Sequence, residues 1–139
     1  MNKYHLIWNE SRHSVGIALI DSQHREIIKM VNQVADGVAK RNQSEAVQKM
    51  LGNLILFARE HFAVEERFMV EYGFPDMESH IEEHHRLFQQ LNNLINVDLR
   101  ASHHNKAALV SAFLTDWAEQ HILQADKELG EFLVAKGLS

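Results

Sequence analysis

Apolar side chains recur at spacings of three and four residues through most of the sequence, which is the period of a helix with one buried face. One such stripe consists of Ile27, Ile28, Val31 and Val34. The pattern predicts four helices, at about residues 21–40, 44–72, 76–99 and 105–136. Residues 1–20 show no sustained helical period and are expected to form an extended N-terminal arm.

Capping and stop residues favour these boundaries, because Ser, Asp and Asn accept hydrogen bonds at a helix N-terminus, whereas Gly and Pro end a helix. They are the N-caps Asp21 or Ser22, Ser44, Asp76 and Asn105, and the helix stops Gly73 and Pro75. Short connections between the helices favour antiparallel neighbours. The sequence therefore predicts an all-α fold, an up-down-up-down four-helix bundle that forms one domain over residues 1–139.

Composition narrows the classes of function. The chain of 139 residues has no cysteine and a formal net charge of −5. The absence of cysteine excludes disulfides and thiolate metal sites, and without clustered Lys and Arg no nucleic-acid partner is expected. The longest apolar run, Leu54 to Ala58, is too short to cross a bilayer. The protein is therefore expected to have no membrane partner and to stay in the cytoplasm.

Histidine is the unusual residue of this composition, with ten copies. Several histidines and two carboxylates lie in phase with the apolar stripes, although a buried ionisable group is costly unless it is paired or binds a metal. These candidate metal ligands are His24, His61, Glu65, His80, His84, His121 and Asp126. They come from all four predicted helices and are expected to converge on the interior of the bundle.

Helical phase supports this convergence. His61 and Glu65 are four residues apart, as are His80 and His84, so each pair shares one face of its helix. Asp126 follows His121 by five residues, which turns it by about 140° in a regular helix. Because the apolar pattern slips by about one residue between these two, we predict a single-turn π-bulge there.

The donor set indicates first-row transition metals. Five imidazoles and two carboxylates contain no sulfur, a single Zn²⁺ would use about four of them, and Mg²⁺ or Ca²⁺ would require mostly oxygen. Two ions bridged by the carboxylates use all seven groups, and iron or manganese suits such a set. The sequence therefore predicts a centre of two metal ions.

The other histidines are expected to lie elsewhere. His5, His13, His103 and His104 are interpreted as surface or loop residues. His85 follows His80 by five residues, which turns it away from the apolar face of its helix. It is expected to face outward.

Five features follow one another along the chain: Trp8, VGIALIDSQH, HFAVEERFM, YGFPDMESHIEEH and WAEQHILQAD. In this combination the sequence resembles the hemerythrin family, in particular its single-domain bacterial members, over nearly the whole chain. The resemblance implies two iron ions, one held by His80, His84 and His121 and the other by His24 and His61. It also implies that Glu65 and Asp126 bridge the ions together with an oxo or hydroxo group.

The function that the resemblance implies is reversible binding of dioxygen, for storage, transport or delivery to an oxygen-using enzyme, so no catalytic residue is expected. Walls of Leu, Ile, Phe and Trp would exclude water and favour binding over turnover. Two alternatives remain, a di-iron oxidase or peroxidase and a sensor of oxygen or redox state. The ferritin-like enzymes need two Glu-x-x-His elements on the helices of the bundle, and within the four predicted helices only Glu82 to His85 provides one.

Overall fold

A computed structural model describes residues 5–39, 44–95, 104–121 and 125–139, and the regular structure within these ranges is helical. The helices are α1 (Glu10–His13), α2 (Ala18–Ala39), α3 (Ser44–Tyr72), α4 (Met77–Leu94), α5 (His104–Gln120) and α6 (Asp126–Ala135). α2 packs against α3 and α5, and α3 also packs against α4 and α6. With α5 and α6 together forming the fourth long element, the all-α four-helix bundle is confirmed.

The N-terminal arm differs from the expected extended chain. It contains the one-turn helix α1, where Asn9 Oδ1 accepts a hydrogen bond from the backbone N–H of Arg12 at 3.1 Å. α2 begins at Ala18, before the predicted caps. Asp21 instead accepts hydrogen bonds from the backbone N–H of Val15 at 2.8 Å and from the Ser14 hydroxyl at 2.5 Å. Asp21 therefore fixes the end of the arm onto α2.

The ends of α3 and α4 are set by backbone geometry. Gly73 has a φ of +70°, which a residue without a Cβ adopts readily, and the N–H of Phe74 donates to the carbonyl of Met69 at 2.9 Å. Asp76 precedes α4, but its side chain makes no capping hydrogen bond, contrary to the prediction. The expected end of this helix near Leu99 and the predicted cap Asn105 lie outside the residues whose side chains are described.

Two apolar clusters form the core, one toward each end of the bundle. The larger includes Ile27, Leu54, Leu91 and Trp117. The smaller includes Ile20, Met69, Leu129 and Leu133. Along each long element the candidate ligands lie between the residues of one cluster and the residues of the other. The fold therefore places a polar layer between two apolar ones. None of the described helices is both long enough and apolar enough to span a membrane.

Candidate metal centre

All seven candidate ligands are buried in this polar layer, and none exposes more than 6% of its surface. α2 supplies His24, α3 supplies His61 and Glu65, and α4 supplies His80 and His84. His121 and Asp126 lie where α5 meets α6. Since so many buried ionisable groups destabilise a core unless they are paired or bind a metal, their convergence indicates a metal-binding site.

The donor atoms form two groups, in each of which the atoms lie within 4.8 Å of one another. One group contains His24, His61, Glu65, His121 and Asp126. The other contains Glu65, His80, His84 and Asp126. The two carboxylates belong to both groups, so they connect the two halves of the cluster.

Each carboxylate directs one oxygen toward each group. Glu65 Oε1 lies 2.9 Å from His84 Nε2, and its Oε2 lies 3.2 Å from His61 Nε2. Asp126 Oδ1 lies 3.0 Å from His80 Nε2, and its Oδ2 lies 2.7 Å from His24 Nε2. This is the arrangement that two bridging carboxylates require.

His121 lies at the boundary of the two groups. Its Nε2 is 2.8 Å from Asp126 Oδ2 and 3.0 Å from His61 Nε2, on the side of His24. The same atom is 3.5 Å from Glu65 Oε1, the oxygen that faces His84. The resemblance assigned His121 to the ion held by His80 and His84, and that assignment stays a prediction.

The backbone near His121 departs from a regular α-helix. His121 and Ala125 have π-helical geometry, and residues 122–124 between them lie outside the described ranges. A π-helical turn adds one residue per turn, so it brings Asp126 onto the face from which a regular helix would turn it away. The predicted slip in helical phase is confirmed at the two positions that the structure describes.

Hydrogen bonds on the outer side of two imidazoles orient their inner nitrogens. His61 Nδ1–H donates to Gln23 Oε1 at 2.7 Å, and His84 Nδ1–H donates to Glu66 Oε2 at 2.8 Å. Because both partners are acceptors, a neutral imidazole in either position directs the lone pair of Nε2 toward the bridging carboxylates. Such outer hydrogen bonds orient the histidine ligands of metal ions in proteins.

The donor set fits a cation for a second reason. Glu65 Oε2 is buried and has no hydrogen-bond partner among the described residues. It lies 3.2 Å from His61 Nε2, so a neutral His61 places one acceptor against another. A cation between them satisfies both atoms, and two first-row metal ions suit the nitrogen and oxygen donors present.

In the metal-free protein the same contacts shift the ionisation of the cluster. Burial alone would lower the pKa of His61 and His80, but Glu65 and Asp126 reverse that effect and raise both pKa values to about 10. Burial would raise the pKa of Glu65, but the charges of His61 and His121 hold it well below its ordinary range. Protons thus take the place of metal charge, and metal binding must release them.

Aromatic side chains enclose the cluster. The ring of Phe62 stacks on His84 with centroids 4.2 Å apart and planes inclined by 16°. Phe74 meets His80 edge-on at 5.9 Å. Trp117, four residues before His121, is buried, and its indole N–H donates to the carbonyl of Leu87 at 2.9 Å. These contacts restrict the imidazole planes and exclude water from the site.

The outcome for the other histidines is mixed. His85 is exposed, as expected. The surface interpretation of His13 is wrong, because it is buried and its Nδ1 accepts a hydrogen bond from the backbone N–H of Asn9 at 2.8 Å. His5 is half-buried, 2.7 Å from Asp36 Oδ1. The side chains of His103 and His104 lie outside the described residues.

Sequence reasoning missed the roles of Gln23 and Glu66. Each directly neighbours a candidate ligand in sequence, Gln23 before His24 and Glu66 after Glu65. Each contacts a different histidine, however, on another helix. Adjacency to a ligand was the available signal, but it does not identify the partner.

The chain is similar to proteins of one family over most of its length. A family model described as "Hemerythrin HHE cation binding domain" matches residues 15–133. A bacteriohemerythrin of Methylococcus capsulatus is 32% identical over 134 residues, which are 94% of this chain and 98% of that protein. A bacteriohemerythrin of Pseudomonas aeruginosa is 28% identical over 122 residues, 88% of this chain and 77% of that protein.

Similarity in three dimensions points the same way. A solved structure titled "Crystal structure of hemerythrin:wild-type" superposes with a TM-score of 0.80 at 27% sequence identity. The match covers 92% of this chain and 97% of the other.

Proposed function

The chain belongs to the hemerythrin family, and from that premise we propose that it binds dioxygen reversibly at a centre of two iron ions. The seven buried residues described above are the proposed ligands. His24 and His61 hold one ion, His80, His84 and His121 hold the other, and Glu65 and Asp126 bridge them. When bound, the two ferrous ions supply the electrons that dioxygen accepts reversibly.

One observation carries this proposal. Glu65 and Asp126 each present one oxygen to His80 or His84 and the other to His24 or His61, at distances between 2.7 and 3.2 Å. A site for a single ion does not require two carboxylates that each direct one oxygen toward each of two sets of histidines. The division supports two ions side by side, each with its own histidines.

The surroundings favour binding over turnover. Five of the seven proposed ligands are imidazoles, which are neutral when they bind a metal, so two carboxylates carry the negative charge of the ligand set. Phe62 and Trp117 exclude water from the layer, which restricts the loss of reduced oxygen species to solvent. By excluding water, these residues favour the release of dioxygen over its further reduction.

A di-iron oxidase or peroxidase is the main alternative. Ferritin-like enzymes place Glu-x-x-His elements inside the bundle. Among the long helices of the bundle the one such element is Glu82 to His85, and both of its side chains are exposed to solvent. That exposure removes it from the centre and favours the carrier over the ferritin-like enzyme.

Visible spectroscopy of the iron-loaded protein tests the proposal. The diferrous protein is prepared without air, exposed to air, and then returned to an oxygen-free atmosphere. We expect an absorption band that appears with air and disappears when dioxygen is removed, over several cycles. A change that occurs once and does not reverse contradicts reversible binding and favours oxidase or peroxidase chemistry.

A further inference from the structure

A pocket of about 420 Å³ opens on the outer side of the bundle between α3 and α4. Arg59, Phe62 and Phe88 form part of its wall, together with the exposed His85. The pocket also reaches Glu66 and His84, so it meets the metal centre from outside at one of the proposed ligands.

Glu66 connects this pocket to the centre. Its Oε2 accepts the hydrogen bond from His84 Nδ1–H at 2.8 Å, and its side chain is 32% exposed. On the opposite edge of the same ring, His84 Nε2 lies 2.9 Å from Glu65 Oε1. Two consecutive residues of α3 therefore hold both nitrogens of one imidazole, and the contact of Glu66 with the proposed ligands is made through His84.

The two halves of the cluster differ in this outer contact. His61 donates to the amide oxygen of Gln23, which is neutral, whereas His84 donates to the carboxylate of Glu66. A carboxylate acceptor pulls the Nδ1 proton more strongly than an amide and makes Nε2 the stronger donor to a metal. Its negative charge also stabilises an additional positive charge on the nearby ion.

We propose that Glu66 is a positioning residue that fixes the ring of His84 and lowers the reduction potential of the centre, so that the ion held by His84 is oxidised more readily than the ion held by His61. Glu66 acts through its charge and its hydrogen bond and makes no contact with the ions. The inference rests on the proposed function, since it requires iron in the cluster.

Substitutions of opposite sign provide the test. Glu66→Gln keeps an oxygen acceptor for His84 but removes the negative charge. Gln23→Glu places a negatively charged carboxylate next to Nδ1 of His61. The midpoint potential of the iron-loaded protein is expected to rise in the first variant and to fall in the second. Glu71→Gln is the matched control, because it removes one carboxylate from an exposed position of α3 and should leave the potential unchanged.

Iron affinity gives a second readout. Competition with a chelator for ferrous iron should show about a 10–100-fold loss of affinity in Glu66→Ala, as for other outer partners of ligating histidines, and a smaller loss in Glu66→Gln. If Glu66→Ala does not fold, the loss of iron affinity is measured in Glu66→Gln. A loss of affinity that only follows a loss of stability in the metal-free protein overturns the positioning role.

The outcomes separate this inference from the proposed function. If the wild-type chain takes up iron but Glu66→Gln and Gln23→Glu have the potential of Glu71→Gln, the role of Glu66 is overturned and the metal centre stands. If the wild-type chain takes up no ferrous iron, the proposed function fails and this inference fails with it. Opposite shifts of the two potentials, with the control unchanged, support it.

Discussion

Replacing one of two adjacent histidines gives a sharp test of the cluster. His84 is buried, stacks on Phe62 and contacts two carboxylates, whereas its neighbour His85 is exposed. His84→Ala should therefore remove a proposed ligand, and His85→Ala should spare it. The two variants differ by one position in the chain and by about 100° around the helix axis.

The magnitude follows from the contacts of His84 in the metal-free protein. The hydrogen bond from Nδ1–H to Glu66 contributes about 1.5–3 kcal/mol, and removal of a buried ring that stacks on Phe62 adds to the loss, so His84→Ala should lower the free energy of unfolding by about 3 kcal/mol. For 139 residues that corresponds to a fall of about 10 °C in Tm. His85→Ala should change the free energy of unfolding by no more than about 0.5 kcal/mol.

Two assays report the result. Circular dichroism during heating gives the Tm of each metal-free variant, and a colorimetric iron assay gives the ions bound per chain. We expect two ions per chain in the wild type and in His85→Ala, and fewer in His84→Ala. Full iron content in His84→Ala, or loss of iron in His85→Ala, would refute the assignment of the inner face of α4.

Three further predictions concern stability. Removing iron with a chelator should lower Tm, because a ligand at about 1,000 times its Kd stabilises the folded state by about 4 kcal/mol; equal Tm values with and without iron would argue against the site. Gly130→Ala should lower the free energy of unfolding in urea by about 1–3 kcal/mol, because its Cβ would overlap the carbonyl oxygen of Val15. Gly52→Ala, with no atom within 4 Å of the new Cβ, should raise that free energy by about 1 kcal/mol, and stabilisation by both variants would refute the close approach. The Tm of the metal-free protein should fall between about pH 6.5 and 10. The raised pKa values of His61 and His80 stabilise the fold fully below their ordinary value of 6.5, and this stabilisation is lost as pH rises through about 10. The Tm of the iron-loaded protein, whose histidines carry no such proton, should change little.

Helical periodicity was enough to predict the bundle. The ligand positions share the phase of the apolar stripes on every long element, so the pattern that identifies the core also identifies the polar layer within it. His61 and Glu65 illustrate this, because their spacing of four residues places both on the face that continues into Met69. The π-helical geometry at His121 and Ala125 also has a signal in the sequence, which is a slip of about one residue in that phase.

The sequence could not predict contacts that depend on packing between distant segments. His13 has no periodic neighbours to indicate burial, yet the arm folds over the bundle and buries it. Asp21 and Asp76 are of a residue type that commonly caps helices. In the fold, however, Asp21 accepts hydrogen bonds from the arm, and the side chain of Asp76 makes no capping hydrogen bond. Gln23 and Glu66 bind histidines of other helices, which no local spacing encodes.

Direct measurement of dioxygen uptake and release tests whether the protein binds dioxygen reversibly. An oxygen electrode records how much dioxygen the anaerobic diferrous protein takes up and how much it returns when the oxygen pressure is lowered. We expect uptake of one dioxygen for each pair of iron ions, returned in full as dioxygen. Uptake without return, or continued consumption in the presence of a reductant, would contradict a reversible carrier.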